Sequence, residues 1–232
     1  MKKLILFITS IITVFTLTAC SSSSSKNKLE EVKSKGKIVL GVSPDYAPYE
    51  FLTTENGNKK VVGADIYLAE QIAKKLGVEV EIQEMGFDSL IASLNANKVD
   101  MVISGINPTD ERKKAVDFSD VYYTGKGIFV VNKDSDEIKS VDDLKNKKID
   151  VVLIPDDVAK IAMNKYSDIK ISSFTADNDP EATGMAIAFK KGKNDSNKEL
   201  LEQVNAVIKE IKEKKEFEQQ LDKYAQIAAQ SE

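Results

Sequence analysis

The alternation of strand-like and helix-like segments between residues 37 and 103 constrains the fold more than any other feature of this sequence. Apolar runs typical of strands are separated by segments whose apolar residues recur at helical spacing. Strands are expected at 37–42, 78–82 and 99–103, and helices at 66–76 and 88–97. Strands joined in this way pair in parallel through right-handed crossovers. The sequence therefore predicts an open α/β sheet that binds ligands at the edge where its strands end.

Two residues set the expected boundaries of the first helix. Asp65 is expected to cap it, because an aspartate oxygen can accept a hydrogen bond from the free N–H groups of a first turn. Gly77 is expected to end it, since glycine adopts the left-handed conformation at a helix C-terminus without a steric penalty.

Three loops fall at the predicted ligand-binding edge, and they carry the residues of a candidate site. The loops span 43–51, 86–87 and 104–112. They bring together Tyr46, Phe87 and Arg112, the only arginine among 33 basic residues. A guanidinium binds a carboxylate through two parallel hydrogen bonds, which an ammonium cannot do. An apolar clamp beside such a group predicts a site for an amino acid.

Each of these residues also has a structural interpretation. Arg112 can be a surface arginine paired with Asp110, Glu111 or Asp117, which is a common arrangement of small effect. Tyr46 and Phe87, taken singly, can be ordinary core or lid aromatics. The topology favours the binding interpretation because it places all three at one edge.

The composition excludes several classes of function. The chain has no histidine, which removes Ser-His and Cys-His catalysis and imidazole metal sites. A single cysteine cannot form an intramolecular disulfide or a multi-thiolate metal site. A net charge of −4 argues against a nucleic-acid partner. We therefore expect no catalytic residue, no metal ligand and no cofactor.

The amino terminus has the pattern of a secretory signal. Lys2 and Lys3 precede an apolar stretch that is too short to span a membrane as a helix. Small residues then lead to Cys20, an arrangement that resembles the lipobox of bacterial lipoproteins, in which the cysteine becomes diacylated. We expect a lipoprotein signal peptide at 1–19 and a polar tether at 20–34. The alternative is an ordinary cleaved signal with an incidental cysteine.

Four separated motifs resemble the solute-binding proteins of polar amino-acid ABC transporters. They are Pro44-Asp45-Tyr46-Ala47-Pro48-Tyr49-Glu50-Phe51, Gly63-Ala64-Asp65-Ile66-Tyr67-Leu68-Ala69, Gly86-Phe87-Asp88-Ser89-Leu90-Ile91 and the run from Gly105 to Tyr123. The resemblance implies an α/β, type II periplasmic-binding-protein-like fold with two lobes and a two-segment hinge. Lobe 1 would comprise 35–123 plus 184–229, and lobe 2 would comprise 124–183.

The resemblance also implies roles for the site residues. Tyr46 and Phe87 would sandwich the ligand, and Arg112 would form a salt bridge with its carboxylate. The turn containing Ser104, Gly105 and Asn107 would hold the same carboxylate, with asparagine where threonine is usual. The implied partners are a polar amino acid and an ABC permease. The protein would be a monomer, lipid-anchored at the cell membrane and facing the outside of the cell.

The second lobe is shorter than the resemblance implies. Strands are expected at 127–131 and 149–154, and helices at 141–144 and 158–165. A strand, a Gly-Thr-Thr turn at a helix start and a further strand and helix have no counterpart. Pro155 occupies the position of the aspartate that binds the ligand's ammonium group. Asp156 is the neighbouring candidate for that role, and its alternative is an acid that stabilises a helix start.

Two other classes of function remain open from the sequence. A dehydratase or lyase on the same fold would use a carboxyl group such as Glu50 or Asp88, although the missing histidine argues against it. An adhesin or receptor-side module that no longer binds solute is favoured by the short second lobe. The residues themselves do not indicate which amino acid a binding protein would take.

Overall fold

The computed structural model describes residues 27–55, 57–135, 138, 151–175, 183–193 and 195–230. Its helices are α1 (Lys28–Lys35), α2 (Ala64–Leu76), α3 (Leu90–Asn95), α4 (Asp110–Ala115), α5 (Asp156–Lys165), α6 (Lys198–Lys214) and α7 (Glu216–Gln230), and a 3-10 turn spans Phe87–Ser89. The proposed signal peptide, Cys20 and the helix expected at 141–144 lie outside these residues.

The strands within the described residues form three sheets. They are β1 (Lys37–Val42), β2 (Asp45–Tyr46), β3 (Glu50–Glu55), β4 (Asn58–Val62), β5 (Glu79–Glu84), β6 (Met101–Val102), β7 (Val116–Thr124), β8 (Gly127–Asn132), β9 (Val151–Pro155), β10 (Ile169–Thr175) and β11 (Gly184–Lys190). The sheet orders are β5-β1-β6-β11-β7, β10-β8-β9 and β2-β3-β4.

The five-stranded sheet is the centre of lobe 1. β1 pairs in parallel with β5 and with β6, as the alternating sequence pattern predicts. β11 returns from lobe 2 and pairs antiparallel with β6 and β7. The face that packs against α2, α6 and α7 contains the main core, including Leu40, Leu68, Ile187, Val204 and Phe217. A smaller core lies on the face covered by α3.

The segment that ends the predicted tether is a helix. α1 buries Leu29 and Val32 in the main core, and Asn27 caps it by accepting a hydrogen bond from the Leu29 N–H. The Lys28 ammonium also reaches the Asp100 carboxylate at 2.8 Å. The described residues of the predicted tether at 20–34 are therefore packed against lobe 1 from Lys28 onward, and that part of the prediction is wrong.

The prediction that Asp65 caps the helix expected at 66–76, which is α2 in the structure, is also wrong. The residue that precedes α2 is Gly63, and no side chain caps the helix. Asp65 is completely buried, and its carboxylate accepts hydrogen bonds from Gly105 and Tyr122 instead. Gly77 ends α2 in the left-handed conformation, as predicted.

Lobe 2 is a small antiparallel sheet with one described helix. β8 is its central strand, with β9 and β10 on either side, and α5 packs on it by burying Ala159 against Ile128 and Val130. β10 is a strand that the sequence analysis did not predict. Val152 and Leu153 of the edge strand β9 remain exposed. The described core of lobe 2 is therefore much smaller than that of lobe 1.

Gly63 occupies a position that only glycine fits. Its φ is 141°, and a Cβ there would lie 2.0 Å from the Tyr49 carbonyl oxygen. We expect Gly63→Ala to reduce the free energy of unfolding by about 3 kcal/mol or more, because backbone strain and a clash with main-chain atoms add together. Gly57→Ala is the matched control, because Gly57 has a φ of 80° and open space around its Cβ position. This control should lose only about 1–2 kcal/mol. Equal losses in denaturant unfolding of the two variants would contradict this account.

Candidate functional site

The three predicted loops meet at one edge of the lobe 1 sheet. They follow β1, β5 and β6, which are neighbours in the sheet. The Ser43 N–H at the end of β1 donates to Ser104 Oγ at 3.0 Å, and the Met85 N–H donates to the Val42 carbonyl at 3.0 Å. The prediction that these loops share an edge is confirmed.

The turn after β6 presents its outer surface to an aromatic ring. Gly105 has a φ of 53°, and a Cβ there would lie 3.0 Å from Cδ1 of Tyr46. The Tyr46 ring stacks in turn on Tyr49, with ring centroids 5.2 Å apart. The stacked rings of Tyr46 and Tyr49 form the aromatic floor of the site. A side chain at position 105 would therefore push the Tyr46 ring away from the turn.

The inner polar groups of this turn are bound to two buried acids. The Ser104 hydroxyl donates to Glu50 Oε1 at 2.7 Å, and the Gly105 N–H donates to Asp65 Oδ2 at 2.9 Å. Tyr122, near the end of β7, donates its hydroxyl to Asp65 Oδ1 at 2.9 Å. Ser104 is only 1% exposed. Its side chain therefore supports the turn from beneath and does not face a solute.

Burial changes the acid–base behaviour of both acids. Burial and the neighbouring Asp65 carboxyl raise the pKa of Glu50 well above its ordinary value. Burial likewise raises the pKa of Asp65, to about 6, against the lowering effect of its hydrogen bonds from Gly105 and Tyr122. Glu50 was considered only as a possible catalytic acid from the sequence, and its 1% exposure removes it from contact with any substrate.

Arg112 lies on α4 beside Phe87. Thr109 caps this helix by accepting a hydrogen bond from the Arg112 N–H at 3.3 Å. The guanidinium donates from one terminal nitrogen to the Asn107 carbonyl at 3.1 Å and stacks over the Phe87 ring, 5.3 Å from its centroid. Among the described residues Arg112 forms no ion pair, so the alternative of a surface salt bridge does not describe it. No described residue accepts a hydrogen bond from its remaining guanidinium N–H groups, which can therefore bind an anion.

The two remaining predicted site residues of lobe 1, Phe87 and Asn107, lie in different places. Phe87 is 39% exposed and lies beside the Arg112 guanidinium. Asn107 lies nearer the lobe boundary, where its side-chain amide donates to the Gly184 carbonyl at 2.9 Å. The amide is therefore already engaged with β11, the strand that returns from lobe 2.

A cavity of about 160 Å³ lies between the lobes. It is lined by Tyr46, Gly105 and Asn107 from lobe 1, by Leu153, Ile154 and Pro155 from β9, and by Gly125, Gly127, Thr183 and Met185 around the hinge. A larger cavity of about 490 Å³ lies between α2 and α6 but is lined by exposed lysines and glutamates far from the three loops. The position of a cavity next to the three loops therefore identifies the candidate site better than the volume of the cavity does.

The two acids that begin α5 have different surroundings. Asp156 accepts from the Lys126 N–H at 3.4 Å and approaches the Lys160 ammonium at 3.9 Å, and it does not line the cavity. Its geometry is that of an acid at a helix start. Asp157 is buried, and its own pKa is raised by burial. Burial raises the pKa of Tyr46 to about 12, and among the charged groups Asp157 adds most to this increase. The sequence analysis missed Asp157, since nothing local distinguishes it from Asp156.

The comparison with known families decides the class of the protein. The model of the bacterial extracellular solute-binding proteins, family 3, matches residues 38–227. The chain belongs to this family. The type II periplasmic-binding-protein-like fold is confirmed, and because the family is one of solute-binding proteins, so is the expectation that the chain is not an enzyme.

Relatives of known name extend over almost the whole chain. The arginine-binding extracellular protein ArtP of Bacillus subtilis (strain 168) is 36% identical over 258 aligned residues, covering 94% of this chain and 96% of the relative. A probable histidine-binding protein of Campylobacter jejuni is 31% identical over 263 aligned residues, covering 97% and 99%. Both alignments are longer than this 232-residue chain. The relatives therefore carry residues that this chain lacks.

A solved structure shows the same fold. An amino acid ABC transporter substrate-binding protein from Streptococcus pneumoniae Canada MDR_19A, bound to L-arginine, superposes with a TM-score of 0.72 and 30% sequence identity. The match covers 87% of this chain and 98% of that one.

Two further features bear on the class of site. No helix in the described parts of the chain is long and apolar enough to cross a membrane. The same residues contain no group of three or more aspartates, glutamates or cysteines arranged to hold a metal ion.

Proposed function

We propose that this chain is an extracellular, lipid-anchored protein that captures a polar amino acid and delivers it to an ABC permease, and that L-arginine is the first ligand to test. The observation that supports it most is the interlobe cavity. Tyr46, Gly105 and Asn107 line it from lobe 1. Arg112 does not line it but donates to the Asn107 carbonyl, and no described residue accepts from its other guanidinium N–H groups. This arrangement can hold a carboxylate beside an aromatic surface.

The charges near the cavity favour a cationic amino acid. Asp157 is the acidic group with the largest effect on Tyr46, and Asp65 also acts on it. Carboxylates near a cleft attract positive charge. The names of relatives, ArtP and the arginine-bound streptococcal protein, support the same choice.

Binding would use the two-lobe design. Ligand pockets usually occupy about 300 Å³ or more, so a cavity of about 160 Å³ requires the lobes to separate before an amino acid enters. Lobe 1 would take the carboxylate first, and contacts from both lobes would then favour closure.

Lobe 2 contributes little to that closure. It presents Leu153, Ile154 and Pro155 to the cavity, which offer no carboxylate to an ammonium group. An enclosed ammonium without a partner costs several kcal/mol. We therefore propose that this chain binds its amino acid more weakly than relatives that have the longer lobe.

A panel of amino acids tests both the ligand and its affinity. We expect L-arginine at millimolar concentration to raise the melting temperature, because a ligand that binds only the native state stabilises it. Calorimetry on this chain and on ArtP should then show weaker binding by this chain. Affinity equal to that of ArtP would show that lobe 2 supplies an ammonium partner after all. No shift with any amino acid would favour the second candidate, an adhesin or receptor-side module, for which exposed Val152 and Leu153 are the supporting observation.

Arg112→Lys separates carboxylate binding from a structural role. A two-point contact would become a single point charge, which removes about 1.5–3 kcal/mol, or about tenfold to over a hundredfold in affinity for L-arginine. Lys114→Ala is the control, because Lys114 is an exposed residue of the same helix. Calorimetry should show an unchanged affinity for the control, and a normal affinity in Arg112→Lys would return Arg112 to a structural role.

Cys20→Ala tests the lipid anchor. A diacylated cysteine would hold the protein on the bilayer, since two acyl chains give stable anchoring. We expect the variant to move from the membrane fraction to the medium or to accumulate as an unprocessed precursor. Unchanged partitioning into a detergent phase would contradict lipidation at Cys20.

Hydrogen exchange tests the packing of lobe 2. Its described core rests on Ile128, Val130 and Ala159, whereas β1, β6 and β11 lie in the extensive core of lobe 1. Amides in β8, β9 and β10 should therefore exchange faster than those of the lobe 1 sheet, because local opening exposes less apolar surface. Equal protection of the two sheets without ligand would contradict this view of lobe 2.

A further inference from the structure

Two carboxyl groups lie beneath the turn after β6 that contains Ser104 and Gly105, which we call the ligand-binding turn. No described lysine or arginine pairs with either carboxyl group. Glu50 begins β3 and is 1% exposed, and Asp65 lies in the first turn of α2 and is 0% exposed. Two ionised carboxylates in such surroundings would repel each other with little screening.

The hydrogen bonds around the pair leave one oxygen without a donor. Asp65 accepts from the Gly105 N–H and from the Tyr122 hydroxyl. Glu50 Oε1 accepts from Ser104, but Glu50 Oε2 is fully buried and has no hydrogen-bond partner that donates to it. A proton on this oxygen would turn it into a donor toward the neighbouring Asp65 carboxylate, which would satisfy both groups.

We propose that Glu50 and Asp65 share one proton and are positioning residues for the ligand-binding turn. The proton resides on Glu50 Oε2 and is donated to Asp65, whose oxygens thereby stay fixed to receive Gly105 and Tyr122. The pair joins the β3 hairpin, the start of α2, the turn after β6 and the hinge-proximal strand β7. Its consequence for L-arginine affinity rests on the proposed function, but its consequence for stability does not.

The negative charges that face the pair favour retention of the proton, and the hydrogen bonds that the pair accepts act against it. Asp45 on β2 adds negative charge near Glu50, and Tyr46 on the same strand is neutral. Tyr122 on β7 is a neutral donor, because burial, with Asp65 as its nearest negative group, raises the pKa of its hydroxyl. Ser43, just after β1, donates to Ser104 and carries no charge. The hydrogen bond from Ser104 to Glu50 lowers the pKa of that acid, but burial outweighs it. The raised pKa values of both acids agree with this arrangement.

The shared proton predicts a particular dependence of stability on pH. The unfolded chain releases both protons as the pH rises past about 4.5, whereas the folded chain still keeps one after Asp65 has titrated at about pH 6. The folded state therefore binds more protons than the unfolded state, and stability falls as the pH rises. Each retained proton increases the unfolding equilibrium constant by about tenfold per pH unit, until the folded pair itself titrates.

Glu50→Gln reproduces the proposed state without a titrating proton. The glutamine oxygen can accept from Ser104, and its amide nitrogen can donate to Asp65. Between pH 5 and pH 8, we expect the unfolding constant to rise less steeply in the variant, by about tenfold per pH unit, than in the wild type. Asp157, whose pKa is also raised by burial, adds the same pH dependence to both proteins and cancels in the difference.

Two further variants make the result specific. Glu55→Gln removes an exposed carboxylate from the same strand, so it should leave the pH slope unchanged. Asp65→Asn places an amide N–H where an acceptor is needed by Gly105 or Tyr122, so it should weaken L-arginine binding by about tenfold or more. Normal affinity and stability in Asp65→Asn would overturn the positioning role.

Infrared spectroscopy of the wild type gives an independent readout. The native protein at pH 7 should show a carbonyl band of a protonated carboxyl group that is absent from Glu50→Gln. Equal pH slopes in wild type and Glu50→Gln, or no such band, would overturn the shared proton. Neither measurement uses a ligand, so a failure of L-arginine to bind would count against the proposed function and not against the shared proton.

Discussion

The burial of Glu50 and Asp65 beneath the turn after β6 is the constraint on which the rest of the site depends. A buried carboxyl group must receive hydrogen bonds or lose its charge, and these two receive theirs from Ser104, Gly105 and Tyr122. The same bonds hold the turn against β3, α2 and β7. With its inner groups engaged, the turn can expose only its outer surface, where Gly105 meets Tyr46. The hydrogen bonds inside lobe 1 thus fix the conformation of the surface that the turn presents to a solute.

Periodicity predicted much of lobe 1, because a half-buried strand or helix shows its buried face directly in the sequence. The parallel pairing of β1 with β5 and β6 followed from the alternation of strands and helices, and so did the shared edge of the three loops. Asp65 was misassigned because its local context is that of a cap, whereas its partners, Gly105 and Tyr122, lie far along the chain. α1 was missed for a similar reason, since its buried residues Leu29 and Val32 follow a polar run.

The candidate site was predictable in part. Topology placed Tyr46, Phe87 and Arg112 at one edge, and the structure keeps them there as an aromatic floor and a stacked guanidinium. The contacts that the sequence analysis missed are those that cross between elements. Glu50 and Asp157 are buried by residues distant in sequence, and the protonation of a carboxyl group depends on that burial and not on its neighbours along the chain.

The small core of lobe 2 also determines which contacts can supply the free energy of lobe closure. Besides its contact with β8, α5 packs against α7 of lobe 1 and places Asp157 near Tyr46. Part of the stability of lobe 2 therefore comes from lobe 1, so separating the lobes removes contacts that lobe 2 needs. A ligand can shift such an equilibrium only through contacts that differ between the separated and closed states. Among the described residues of lobe 2, Leu153, Ile154 and Pro155 face the cavity. Under the proposed function their contacts with a ligand are apolar, and polar recognition falls to the turn in lobe 1.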